Sequence, residues 1–431
     1  MEPTLKTVSL SMLILLFLFG IAAAKPVQLQ QLLEEADQQN PSLRAALEQI
    51  AVADSREDQV TSLKDPVLSL SLSNYPIDEL RADVTPMTGN EIRLAQMFPF
   101  PGKLEAKGQV AAEKSRWFAA AYQDARLQIR QRVKDAWYRL LFQQQALDLT
   151  DHNLQILDDF IKLTEVRYEV GKGLQQNVLK AHLQRSKQLD KLLRLQQQRD
   201  ATRAELNSLA GRDTAQELVV SAQLGASEAR YDLDLLQQQA VEKRPMFFAF
   251  DALIAQYKSQ RELADLDFNP DFTVWAGYRF RDDGLPDGGT DFISAGVSFT
   301  LPIYRGRRNA AVAGADSSLR QAYQKRNAFR NNVNLAIHRS LTKLEQATQI
   351  ADLYKNGIIP QANQTFQATL SAYQVDKVDF LSLLDSLMGL YRYEIDYVRA
   401  LSDQQRSLAQ LEAAAGLDIE RLQPEQKPNE G

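Results

Sequence analysis

Short stretches of the chain alternate apolar and small polar residues with period two, the pattern of a strand with two unlike faces. Leu68, Leu70 and Leu72 alternate with Ser69, Ser71 and Ser73. Phe272, Val274, Ala276, Tyr278 and Phe280 alternate with Thr273, Trp275, Gly277 and Arg279. Ile293, Ala295, Val297, Phe299 and Leu301 alternate with Phe292, Ser294, Gly296, Ser298 and Thr300. A weaker stretch runs from Ile92 to Phe98. Each is about ten residues, the length of a tilted membrane strand. An apolar face and a small polar face suit a barrel with lipid outside and water inside. A soluble sandwich would show the same alternation.

Elsewhere the period is helical. Leu140, Leu147, Leu154, Ile161 and Tyr168 recur at heptad spacing, as do Phe142, Leu149, Ile156, Leu163 and Val170. Positions two apart lie about 200° apart round a helix, so the two seams face opposite ways and predict a neighbour on each side. Ile337, Leu344, Ala351 and Ile358 repeat a patchier seam, and Leu384, Met388, Tyr391, Ile395 and Val398 follow a 3–4 pattern. Pro360 interrupts its helix and predicts a kink.

The chain also repeats itself. Asn40-Pro41 aligns with Arg244-Pro245, Asp65-Pro66-Val67 with Asn269-Pro270-Asp271, and Phe98-Pro99-Phe100 with Leu301-Pro302-Ile303. Tyr168 to Lys172 aligns with Tyr373 to Lys377, and Leu209-Ala210-Gly211 with Ala414-Ala415-Gly416. Matches in order at nearly one offset indicate two copies of one unit. The units are expected at 25–211 and 232–416, joined by a segment at 212–231 and followed by a flexible tail at 417–431. Each begins with a helical segment, Leu29 to Leu63 or Leu233 to Leu266. A hairpin follows at 66–98 or 270–301, then a long helix at 103–170 or 307–375 and a return helix at 174–210 or 378–415. Gly211 and Gly416 are candidate helix caps. The long helix reaches ~100 Å and the two shorter helices together nearly the same, so one long stave can lie beside two stacked ones. Four strands cannot close a membrane barrel, and an open edge is forbidden in lipid. Three chains would pool about twelve strands.

Composition narrows the chemistry. The 431 residues contain no cysteine and only His152, His182 and His338 as histidines. This excludes a thiolate zinc site, a cysteine nucleophile and a cysteine-linked lipid anchor, and predicts no bound metal and no cofactor. A formal charge of −5 offers no surface for nucleic acid. No serine-hydrolase elbow, His-Glu-x-x-His or P-loop is present, so no catalytic residue is assigned. Lys6, the apolar run Leu10 to Ile21 and Ala22-Ala23-Ala24 read as a signal peptide over 1–24.

With these features the chain resembles the TolC-type outer-membrane efflux duct family. The resemblance covers essentially the whole mature chain. Phe98-Pro99-Phe100-Pro101-Gly102-Lys103, Tyr168 to Gly171 with Gln175 to Ala181, and Lys377 to Leu381 with Leu384-Asp385 are similar to the branch that partners heavy-metal RND exporters. The resemblance implies a mainly α fold with a membrane β-barrel: a homotrimer with a twelve-stranded barrel in outer-membrane lipid and a helical coiled-coil tunnel in the periplasm. It implies docking to a periplasmic adaptor and an inner-membrane RND-type exporter, and no enzyme chemistry. It places the periplasmic entrance and adaptor contact at Arg167, Tyr168, Gly171, Gly173, Tyr373, Asp376, Lys377 and Asp379. Arg167 and Tyr168 either hold that entrance shut or merely pack. Asp376 and Asp379 form carboxylate rings, or Asp379 simply caps a helix. Asp376 stands where the first tip has Gly171, so the two tips are expected to differ. The loops Tyr75 to Asn90 and Arg281 to Asp291 are expected outside the cell. Heavy-metal efflux, drug or small-organic efflux and type I protein secretion all suit such a duct, and a periplasmic coiled-coil adaptor is the rival of another class.

Overall fold

The structure, a computed structural model, describes residues 27–226 and 231–417. The expected signal peptide and all but the first residue of the expected tail lie outside the described residues. Two helices, α1 (Leu29–Gln39) and α2 (Pro41–Thr61), precede the strands β1 (Val67–Ser73) and β2 (Gly89–Phe98). The helices α3 (Lys103–Glu169) and α4 (Gln175–Leu209) follow. The second half repeats the order with α5 (Leu233–Lys243), α6 (Pro245–Leu266), β3 (Phe272–Phe280) and β4 (Phe292–Phe299). It ends with α7 (Arg305–Leu353), a π-helical turn (Tyr354–Ile358), α8 (Ile359–Gln374) and α9 (Phe380–Ala415).

Proline explains two departures from the expected staves. The segments expected as single helices over Leu29 to Leu63 and Leu233 to Leu266 are each broken, at Asn40-Pro41 and Arg244-Pro245. A residue before proline is driven out of the α region, and Asn40 and Arg244 are extended, at ψ 121° and 124°. Proline then suits the first turn of the next helix. Asn40 caps α2 through its side chain, accepting from the Ser42 and Leu43 amides at 3.0 and 3.3 Å. The long helix expected over 307–375 is likewise interrupted. Pro360 has no N–H and crowds the turn before it; the wider π turn at Tyr354–Ile358 accommodates both effects.

The 67-residue α3 is the axle of the molecule, packing against α2, α4, α6 and α9. Its first apolar seam is buried at Leu140, Leu147, Leu154 and Ile161. The opposite seam (Phe142, Leu149, Ile156, Leu163) is only half-buried. Each half has its own core where α1–α2 or α5–α6 meets the long and return helices. Leu32, Leu33 and Leu43 pack with Val133, Trp137 and Leu206 in the first. Leu236 and Phe247 pack with Val333, Ile337 and Leu411 in the second.

The strands form one antiparallel sheet in the order β1-β2-β3-β4, so β1 and β4 are edges. The register pairs Leu70 with Ile92, Ile92 with Tyr278 and Tyr278 with Ile293, collecting the apolar positions on one face. The strand-to-helix junctions of the two halves are joined by Lys103. Its buried ammonium donates to Asp271 Oδ1 at 2.9 Å and to the Asn269 carbonyl at 3.1 Å, while the Phe100 amide donates to the same carboxylate at 2.8 Å. Burial pushes the Asp271 carboxyl up, but the Lys103 and Phe100 hydrogen bonds outweigh it and hold it below the ordinary range. At the far end of the strands, Asp287 pairs with Arg281 at 2.7 Å and Asp291 accepts from the Arg281 amide at 2.9 Å. These two acids thus order their loop.

Candidate functional site

The α3–α4 and α8–α9 turns lie side by side at the helical end remote from the sheet. Both turns have one backbone design. Gly171 is left-handed at φ 72°, and Asp376, at the matching position, is left-handed at φ 58°. The Lys172 amide donates to the Arg167 carbonyl at 2.8 Å, and the Lys377 amide to the Ala372 carbonyl at 3.0 Å, closing each helix in the same way. The tips expected to differ are therefore equivalent in backbone and differ in side chains. An aspartate tolerates the left-handed region better than most residues, so the turn survives without glycine. Gly173 is needed for closeness: a Cβ there would sit 3.1 Å from the Arg167 carbonyl carbon and the Tyr168 nitrogen.

Three of the candidate residues come together across the turns. Arg167 Nη1 donates to Asp376 Oδ1 at 2.5 Å, and Nη2 donates to the Tyr373 carbonyl at 3.2 Å. The same guanidinium lies 4.4 Å above the Tyr373 ring. Tyr373 is buried, and burial pushes its phenol up against the opposing pull of Arg167. Its counterpart Tyr168 is 48% exposed and takes no part in this cluster. Arg167 aligns with Ala372 in the second half, so the chain can build this latch only once. Asp379 points away from the latch and caps α9, accepting from the Ser382 amide at 2.8 Å. Lys377 and Gly171 are exposed.

Sequence reasoning missed what lies beneath the latch. Phe160, Phe366, Tyr373, Phe380 and Leu383 form a buried core between the two hairpins, with Phe160 and Phe380 edge-to-face at 6.2 Å. Phe366 and Phe380 are ordinary apolar residues when read alone. Only their place beside Tyr373 on adjoining helices gives them a role.

A duplicated helical chain with a short sheet, apolar on one face and polar on the other, defines the class of outer-membrane channel subunits. The chain belongs to the outer membrane efflux protein family, whose model matches residues 32–212 and again residues 236–417. It is an outer-membrane efflux channel protein with its helices on the periplasmic side. It is 23% identical over 405 residues to the cobalt-zinc-cadmium resistance protein CzcC of Cupriavidus metallidurans, covering 92% of each chain. Solved structures share the fold. CusC superposes with TM-score 0.77 at 15% identity over 91% of this chain and 93% of that one. VceC of Vibrio cholerae gives 0.75 at 22% identity over 90% and 96%. The open state of the Neisseria gonorrhoeae channel MtrE gives 0.75 at 17% over 90% and 89%.

Proposed function

We propose that three copies of this chain close a barrel of about twelve strands over a periplasmic helical tunnel, and that this duct passively exports heavy-metal cations. The carrying observation is the open sheet: β1 and β4 each leave an unpaired edge, which hydrocarbon does not tolerate. Apolar side chains on the flanks support lateral neighbours. Leu179, Leu183 and Leu193 on α4 are exposed, as are Leu335, Ile350 and Leu353 on α7. The paired tips are the periplasmic entrance, with Arg167, Tyr373 and Asp376 as its latch. Tyr168, Gly171, Gly173, Lys377 and Asp379 shape the rim that meets a periplasmic adaptor, and the adaptor connects to an RND-type pump. The cargo reading is supported by the likeness to a cobalt-zinc-cadmium resistance protein over nearly the whole chain. The duct performs no covalent chemistry; the pump supplies the work.

Deleting the gene from its host and measuring growth on cobalt, zinc and cadmium tests the cargo. Lost metal tolerance, restored by the intact chain, is expected. Lost tolerance to organic toxicants alone, with metal tolerance intact, would replace metals with organic cargo. Native mass measurement in detergent tests the assembly, and a stable monomer with full strand content would sink the trimer.

A further inference from the structure

Four large side chains cluster on the polar face of the sheet, which the alternation of apolar and small polar residues does not explain. Glu91 and Arg93 on β2 share this face with Trp275 and Arg279 on β3, among the small residues Ser69, Ser71, Ser294 and Ser298. Three of the four rest on glycine. A Cβ on Gly296 would lie 2.7 Å from the Trp275 ring, one on Gly277 would lie 2.8 Å from Glu91 Oε1, and one on Gly89 would lie 2.8 Å from the Arg279 stem. None of these glycines has a positive φ, so backbone conformation does not require them. Glycine weakens a strand interior, and its use there marks a close approach of something else. Here that something is a bulky side chain pressed flat on the wall instead of reaching across the lumen.

The remaining side chain, Arg93, lies on Trp275. The Arg93 guanidinium stacks 3.6 Å from the centre of the Trp275 ring. Glu91 and Arg279 face each other across the strands with 3.6 Å between charged atoms. Among the described residues, Arg93 has no carboxylate within ion-pair distance. Each chain therefore contributes one cationic charge, held by an aromatic face and unneutralised, at a single level of the lumen.

We propose that Arg93, seated on Trp275, forms a cationic ring in the exit barrel that favours small anions, and that Gly296 keeps this ring flat, while Gly89 and Gly277 keep the neighbouring Glu91–Arg279 pair flat, so that the ring selects without obstructing. A ring of arginines gives a pore anion preference, and the low-dielectric barrel wall strengthens its field. A cation arriving from the tunnel therefore meets no binding charge at the exit and is not retained there. The inference rests on the reading that three chains close one barrel, since a ring needs all three.

The test is planar-bilayer recording of the full mature protein in a potassium chloride gradient, after confirming the trimer on a gel. Arg93→Gln should lower the chloride-to-potassium permeability ratio by about twofold or more, with conductance nearly kept. Gly296→Val should tip Trp275 into the lumen and lower conductance, and adding Trp275→Ala to that variant should restore it. An unchanged permeability ratio in Arg93→Gln trimers overturns the ring. Unchanged conductance in Gly296→Val trimers overturns the role of the glycine seats. Wild-type protein that forms no trimer overturns the closed barrel itself, and the ring falls with it.

Discussion

Arg167 donates to Asp376 at 2.5 Å across 209 residues of chain, joining the tip of the first hairpin to the tip of the second. The contact is half in water: the arginine side chain is 20% exposed and the aspartate 66%. An exposed pair alone contributes little, but the stacking of Arg167 on Tyr373 adds to it, for roughly 1–2 kcal/mol per chain. Replacing Arg167 with Ala should raise single-channel conductance while leaving the trimer intact. Arg167→Lys should fall between, because it keeps the charge and loses the planar stack. Unchanged conductance in Arg167→Ala channels would show that the pair packs the tips without restraining the opening.

Asp376 and Asp379, close in sequence, should separate by experiment. Asp379 is held below the ordinary carboxylate range by Ser382, whose side chain and amide both bond it. Its cap is therefore fully present above the unfolded value of about 3.9 and lost as pH falls through the lower folded value. Asp379→Ala should lower the melting temperature at neutral pH, with the loss vanishing in acid, and Asp379→Ser should restore most of it. Asp376→Asn should leave the melting temperature nearly unchanged yet lower cation preference in bilayers. A melting loss from Asp376→Asn as large as that from Asp379→Ala would show the two acids to be doing one job.

Gly211 and Gly416 end the return helices at φ 72° and 70°. A Cβ on Gly211 would meet the Gln39 carbonyl oxygen at 2.7 Å, and one on Gly416 would meet Arg244 Cα at 2.7 Å. Both obstacles are backbone, which cannot swing aside. Alanine at either site should destabilise by about 2–4 kcal/mol, combining left-handed strain with the clash. Gly171, at φ 72° with nothing near its missing Cβ, should cost only about 1 kcal/mol on the same change. Urea unfolding of the three variants checks the ranking. Equal losses would mean that strain alone matters.

Glu394 on α9 has its carboxyl pushed up by burial, with His152 pulling weakly the other way. A raised folded value means that its contribution is fully present below the unfolded value of about 4.3 and is lost as pH rises through the folded one. At neutral pH, above the unfolded value, Glu394 thus weakens the helical wall. Glu394→Gln should raise the melting temperature at pH near 7 and match wild type in acid. A gain that persists in acid would trace the effect to packing instead of charge.

The chain's own pattern determined much of this protein. Period-two runs such as Leu68-Leu70-Leu72 specify strands with unlike faces, because successive strand residues point to opposite sides whatever surrounds them. The offset between Asn40-Pro41 and Arg244-Pro245 is visible because duplicated backbones need the same breaks. Yet the prolines alone do not reveal that the helices break there, since a proline can also sit within the first turn of a helix. Gly171 is legible as a turn. That Asp376, aligned with it, adopts the same left-handed turn is not, because a left-handed aspartate is recognised by its φ and not by its identity.

Tertiary structure alone decided the rest. That Arg167 reaches Asp376, and not a nearer acid such as Glu165 or Glu169, depends on how the hairpins lie together. So does the burial of Tyr373 and the exposure of Tyr168, two tyrosines with the same place in their repeats. Trp275 is one more polar-face residue until the register sets it against Gly296 and brings Arg93 onto its ring. Periodicity reports which way a side chain points on its own element. Which neighbour it meets is fixed by strand register and helix packing, and these depend on residues far away along the chain.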